Sequence, residues 1–147
     1  MDIRESPVLV QSGKSTQIVF VDHSMGGLVI KQTLLLAKQD PSCSEIAARI
    51  HTLFFLATPH RGADMAVVFE QSPYSEAIQA INDNFCHAYQ GVQLYSFFKT
   101  VPTAIGLIVN KSSAVIELLG EHILHLNADH SNVCKFDSPV DDNYCRL

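Results

Sequence analysis

The sequence predicts the α/β class, with a parallel sheet of about four strands and helices flanking it. Three observations carry that reading. Strand-like runs alternate with stretches of helical period, which is the pattern of βαβ units. The run His51-Thr52-Leu53-Phe54-Phe55-Leu56-Ala57 is almost continuously apolar, as a strand covered on both faces must be. Lastly, Ile18-Val19-Phe20-Val21 passes through Asp22-His23-Ser24-Met25-Gly26-Gly27 straight into a helical pattern, so strand, sharp turn and helix follow in immediate succession.

Taken in order, residues 1–17 hold one short apolar run, Pro7-Val8-Leu9-Val10, and a polar connector. Within the connector, Gly13-Lys14-Ser15-Thr16 imitates the end of a phosphate-binding loop. The glycine that such a loop needs five residues earlier is Val8, and a strand follows instead of a helix, so a turn is expected there. The first strand is predicted near Gln17–Val21. After the turn, Leu28, Val29, Thr33, Leu34, Leu36 and Ala37 are the expected buried face of a helix. A short helical run through Ile46, Ala47 and Ile50 leads to the second strand, near Thr52–Leu56. Pro59 and Gly62 then make Thr58–Asp64 a tight loop at the end of the sheet where such folds place ligands. Met65–Gln90 is expected to be helical, with Ile78, Ile81, Phe85 and Ala88 as a core stripe. A third strand is expected near Gln93–Phe97, a short apolar segment at Gly106–Val109, and a fourth strand near Ile123–Leu126.

Composition narrows the function classes. The chain has 147 residues, enough for one domain with a real core, and residues 1–147 read as a single domain. Hydrophobic residues make up 47% and charged ones 17%, so it is a globular chain. A formal net charge of −5 disfavours nucleic acid and anionic membranes as electrostatic partners. Lys31 and Lys38 interrupt the longest apolar run, and the opening Met1-Asp2-Ile3-Arg4-Glu5 lacks a signal-peptide layout, so a soluble, intracellular and cytoplasmic protein is expected, with membrane association at mitochondria or ER left open. Cys43, Cys86, Cys134 and Cys145 form no C-x-x-C pair and read as free thiols. A zinc set of His122, His125, His130 and Cys134 fails if His122–Leu126 is a strand, because residues three apart then face opposite ways; no metal and no cofactor is expected.

The chemistry concentrates at Ser24. A strand-to-helix turn strains the serine backbone and lifts its hydroxyl clear, as in the nucleophile elbow G-x-S-x-G. Gly26 supplies the second glycine, where a small residue would let strand and helix approach. Asp22 stands in place of the first, which would put a charge close to a developing anion. The amide of Met25, first in the following helix, would form half of an oxyanion hole. Read blandly, Ser24 is a helix N-cap. The base that Ser24 would need belongs in the loop after the last strand, where His130 is the candidate; the bland alternative is a solvated loop histidine. His23 is expected to leave the turn in the wrong direction, and His87, on an amphipathic helix, to be a surface or packing residue. His60 is either a substrate contact or a loop brace.

The ordered blocks V-D-H-S-M-G-G-L-V-I-K-Q, F-L-A-T-P-H-R-G-A-D, S-F-F-K-T-V-P-T, S-S-A-V and L-N-A-D-H-S-N-V-C-K-F-D-S-P resemble the lipase-like α/β-hydrolase domain found in fungal NACHT, ankyrin and TPR receptor-like proteins. The same domain type occurs in a serine-active-site protein of phosphatidylglycerol remodelling, and GPI inositol-deacylases are more distantly similar. The resemblance spans about Gln17–Tyr144. It implies a partial α/β-hydrolase fold with its N-terminal strands missing, Ser24 as nucleophile, His130 as general base, and an ester or lipid substrate. It also implies that the strand before Ser24 has an uncovered edge, which favours self-association.

Two positions depart from the family pattern. Lys99 stands where the family carries a glutamate suited to be the triad acid, and Asn110 replaces a second acidic position. Asp129 adjoins His130 in sequence and is poorly placed to bond its outer nitrogen, which leaves Glu121 and Asp137 as substitutes. The expected function is a serine ester hydrolase; the alternative is a catalytically inactive remnant serving as an interaction or regulatory module.

Overall fold

In the computed structural model, residues 16–60, 74–102 and 109–147 are described. The expected run at Pro7–Val10, the turn at 13–15, the loop beyond His60, the first part of the Met65–Gln90 helix and residues 106–108 lie outside them. Four strands form one parallel sheet in chain order: β1 (Ile18–His23), β2 (Ile50–Leu56), β3 (Gln93–Lys99) and β4 (Glu121–Leu126). Each strand starts or ends within two residues of its expected bounds. β1 pairs with β2 from Ile18↔Ile50 to His23↔Leu56, with an irregularity between Ile18 and Val19. β2 pairs with β3 from Thr52↔Gln93 to Leu56↔Phe97, and β3 with β4 from Leu94↔Glu121 to Lys99↔Leu126. All C-terminal strand ends therefore meet at one edge, and that edge carries Ser24. Among the described residues β1 has a neighbour on one side only, and Val19 and Val21 are exposed.

Among the described residues, three α-helices accompany the sheet: α1 (Gly26–Gln39), α2 (Ser44–Arg49) and α3 (Tyr74–Ala88). α1 and α3 pack together over one sheet face, where Leu34, Phe85, Leu53, Phe55, Ile50 and Leu94 form the larger core cluster. Lys38 of α1 hydrogen-bonds the carbonyls of Ala88 and Gln90 and so closes the end of α3. Because strand side chains alternate, Phe54, Leu56, Tyr95 and Phe97 face the other way. There Leu56, Ala57, Phe97, Leu126 and Val133 form a second cluster, covered by Ala128 and Phe136 from the chain after β4. β2 is thus covered on both faces, as its unbroken apolar run requires.

The buried face of α1 differs from the expected one. Leu28, Lys31, Leu34, Leu35 and Ala37 point inward, while Val29, Thr33 and Leu36 are exposed. The reason is Lys31. It has no solvent exposure and sits in the centre of the inward stripe, so the apolar residues alone give the wrong helical phase. No helix among the described residues is long and apolar enough to cross a membrane.

Candidate active site

β1 ends and α1 begins through a turn in which Ser24 has φ of 57°, the left-handed region that a non-glycine residue rarely adopts. The turn is held by Ser24 N–H donating to Leu56 O at 3.0 Å and Gly27 N–H donating to Ser24 O at 3.3 Å. Ser24 is therefore not the cap of α1. Met25 occupies that position, and its N–H lies at the positive end of the helix.

Gly27 explains how the turn is so tight. A Cβ there would stand 2.3 Å from Thr58 Cγ2, 2.6 Å from Thr58 Oγ1 and 2.9 Å from Asp22 Oδ1. At Gly26 a Cβ would meet only Asp22 Cβ at 3.5 Å, an ordinary contact. The glycine that close approach demands is the second of the pair, not the one the motif spacing selects.

The structure brings Ser24 and His130 together: His130 Nε2 stands 2.9 Å from Ser24 Oγ across 106 residues of chain. The loop that carries His130 is built locally. Asp129 accepts from Ser131 N–H and Asn132 N–H, each at 2.9 Å, and from the Asn132 side chain, fixing the turn that presents the imidazole. Burial, then His23 and Lys99, push His130 below its ordinary pKa, while Asp129 pulls it back upward. Lys99 thus lowers the pKa of the imidazole, where a carboxylate would raise it.

His23 departs from expectation. Its Nε2 is 2.7 Å from the backbone oxygen of His130, and the two rings lie 4.9 Å apart. The alternation of β1 held the signal: Val19, Val21 and His23 share the sheet face on which the chain after β4 packs. Glu121, by contrast, is engaged elsewhere. Its carboxylate accepts the N–H groups of Ile116, Glu117 and Leu118 at the start of β4, the opposite end of that strand from His130. Asn110 serves its own turn, accepting from Ser112 Oγ and Ser113 N–H.

Asp22 does not face the Ser24 hydroxyl. It turns under α1, where its Oδ1 accepts from Thr58 Oγ1 at 2.6 Å, and burial raises its pKa to about 7 against the pull of Thr58 and Lys31. Behind it, Lys31 Nζ donates to Asn82 Oδ1 and His60 Nδ1, each at 2.7 Å, between the rings of Phe55 and Phe85. Burial lowers Lys31 to about 7 and holds His60 well below its usual range. His60 is 4% exposed and its N–H donates to Ser113 O at 2.7 Å, so it braces the loop after β2. Sequence reading missed this buried polar layer, which ties β1, α1, α3 and the β2 loop together under the turn at Ser24.

The four cysteines are free thiols, with Cys43 and Cys86 partly buried and Cys134 and Cys145 exposed. His122 and His125 lie on β4, stacked on Tyr95 and near Phe98 respectively, and so on opposite faces of the sheet. Among the described residues no group of three histidine, cysteine or carboxylate side chains could hold a metal ion.

A family model described as the PGAP1-like alpha/beta domain matches residues 7–108, well over half of the chain. The protein SERAC1 of Danio rerio is 32% identical, over 80% of this chain and 21% of its own length. SERAC1 of Bos taurus is 29% identical and that of Homo sapiens 28%, with the same coverages. The chain therefore spans about a fifth of the length of these relatives. No solved structure matches it.

Proposed function

The chain belongs to the PGAP1-like alpha/beta domain family, whose fold is that of lipase- and esterase-like hydrolases, and on that premise we propose that it is a serine ester hydrolase. The observation that carries this reading is the 2.9 Å approach of His130 Nε2 to a serine hydroxyl on a left-handed turn. Ser24 Oγ attacks the ester carbonyl while His130 Nε2 takes its proton. The carbonyl electron pair moves onto oxygen, where the Met25 N–H at the helix start receives it. Collapse expels the alcohol with the proton from His130, and water repeats the sequence to release the acid.

Lipid esters are the proposed substrate class, on the resemblance to lipid-ester and GPI inositol hydrolases. Hydrolysis of a short-chain nitrophenyl ester beside that of a phospholipid in mixed micelles tests this. Loss of both in Ser24→Ala supports it, and unchanged rates in that variant contradict it. A second reading, a domain that keeps the scaffold with little turnover, is favoured by one observation: Lys99 disfavours the imidazolium that must form as Ser24 gives up its proton. The one-sided pairing of β1 among the described residues and its exposed valines support self-association of copies, which light scattering over a dilution series tests.

A further inference from the structure

We propose that His23 is a positioning residue for the base: its ring N–H grips the backbone carbonyl of His130 and so holds the imidazole at the Ser24 hydroxyl. This deepens the proposed hydrolase reading and rests on it. His23 and His130 are 107 residues apart in sequence, and no shared turn or strand pairing brings them together. What joins them is one 2.7 Å contact from His23 Nε2 to the His130 oxygen, with the rings 4.9 Å apart and inclined by 42°.

A carbonyl oxygen only accepts, so neutral His23 carries its proton on Nε2. Among the described residues, His130 is held at its ring by Ser24 Oγ and at its backbone by His23. The two anchors come from adjacent residues of one strained turn. Any displacement of the elbow therefore moves hydroxyl and base together and preserves their separation. That matters because an error of about 1 Å between reacting groups can cost roughly a hundredfold in rate.

His23 has a second effect of opposite sign. Electrostatically it pushes the His130 pKa down, as Lys99 does. Among the described residues, the groups acting on His130 include His23 from β1, Lys99 from β3, Asp129 from its own loop, and the Ser24 hydroxyl. Grip and charge can be separated by substitution. His23→Gln keeps an N–H donor at nearly the same reach and removes the imidazole. His23→Phe keeps a ring against His130 and removes the donor.

The test uses the full chain with two readouts. One is the rate of Ser24 modification by a fluorophosphonate per folded molecule. The other is the long-range nitrogen–proton NMR spectrum of the His130 imidazole, which reports its tautomer without any reaction. Expected are a native-like tautomer pattern and a rate within about threefold for His23→Gln. For His23→Phe the expected result is a mixed tautomer pattern and a rate lower by ten- to a hundredfold. A His130 spectrum in His23→Phe that matches the native one overturns the proposal, even if stability falls, because His23 would then be packing alone. If the native chain is not modified at all, the hydrolase reading fails, and the tautomer comparison still decides whether His23 positions His130.

Discussion

Gly27 lies so close beneath Thr58 that a methyl group in its place would stand 2.3 Å from Thr58 Cγ2. Gly27→Ala is therefore expected to force the elbow and the loop after β2 apart, with a loss of roughly 1–3 kcal/mol of stability. Gly26→Ala, which meets only an ordinary 3.5 Å contact, is expected to be neutral or to gain up to about 1 kcal/mol from helix propensity. Urea denaturation of the two variants checks the contrast. Equal effects would mean that the Thr58 contact does not govern the turn.

Lys31→Met is expected to destabilise although methionine suits an apolar stripe. It would leave His60 Nδ1 and Asn82 Oδ1 buried without their donor. An orphaned buried acceptor costs roughly 1–3 kcal/mol, and chemical denaturation measures it. A variant as stable as the native chain would show that the amine is dispensable.

Those two positions also show what was legible in the sequence and what was not. The strands were readable because each is an apolar run bounded by turn residues, and parallel pairing followed from β2 being apolar on both faces. The approach of Ser24 and His130 was readable because a strand–turn–helix fixes the place of the first and chain order after the last strand that of the second. The phase of α1 was not, since periodicity assigns lysine to solvent and Lys31 is the most buried residue of its face. Asp22 misled for a related reason. Its charge counted against the site, whereas alternation along β1 turns it under α1 to Thr58. Both errors arise where a polar side chain is buried with partners far away in sequence.

Asp22 makes the stability pH-dependent. Its folded pKa is raised from 3.8 to about 7, so its contribution is fully present below pH 3.8 and is lost as pH rises through 7. Asp22→Asn, which can still accept from Thr58, is expected to remove that decline. Denaturation midpoints at pH 4, 5.5 and 7 measure the slope, and an unchanged slope in the variant would assign it to another group.

Lys99→Glu exchanges a cation that depresses His130 for an anion at the same place. The His130 pKa is expected to rise, and turnover of a short-chain ester at pH 8 to increase roughly tenfold or more, given the ten-thousandfold usually lost with a triad acid. At acid pH the same variant should lose rate, because more His130 is already protonated. A pH–rate profile shows both arms, and no movement of its acid limb would mean that Lys99 does not act on the base.

The most direct measurement is covalent labelling of the native chain with a fluorophosphonate, followed by peptide mass spectrometry. The predicted result is a single phosphonylated residue, Ser24, formed faster as pH rises through a midpoint below 6.5 and absent in His130→Ala. An unlabelled Ser24 in a folded chain, or labelling undiminished in His130→Ala, would contradict the account of Ser24 and His130 as nucleophile and base.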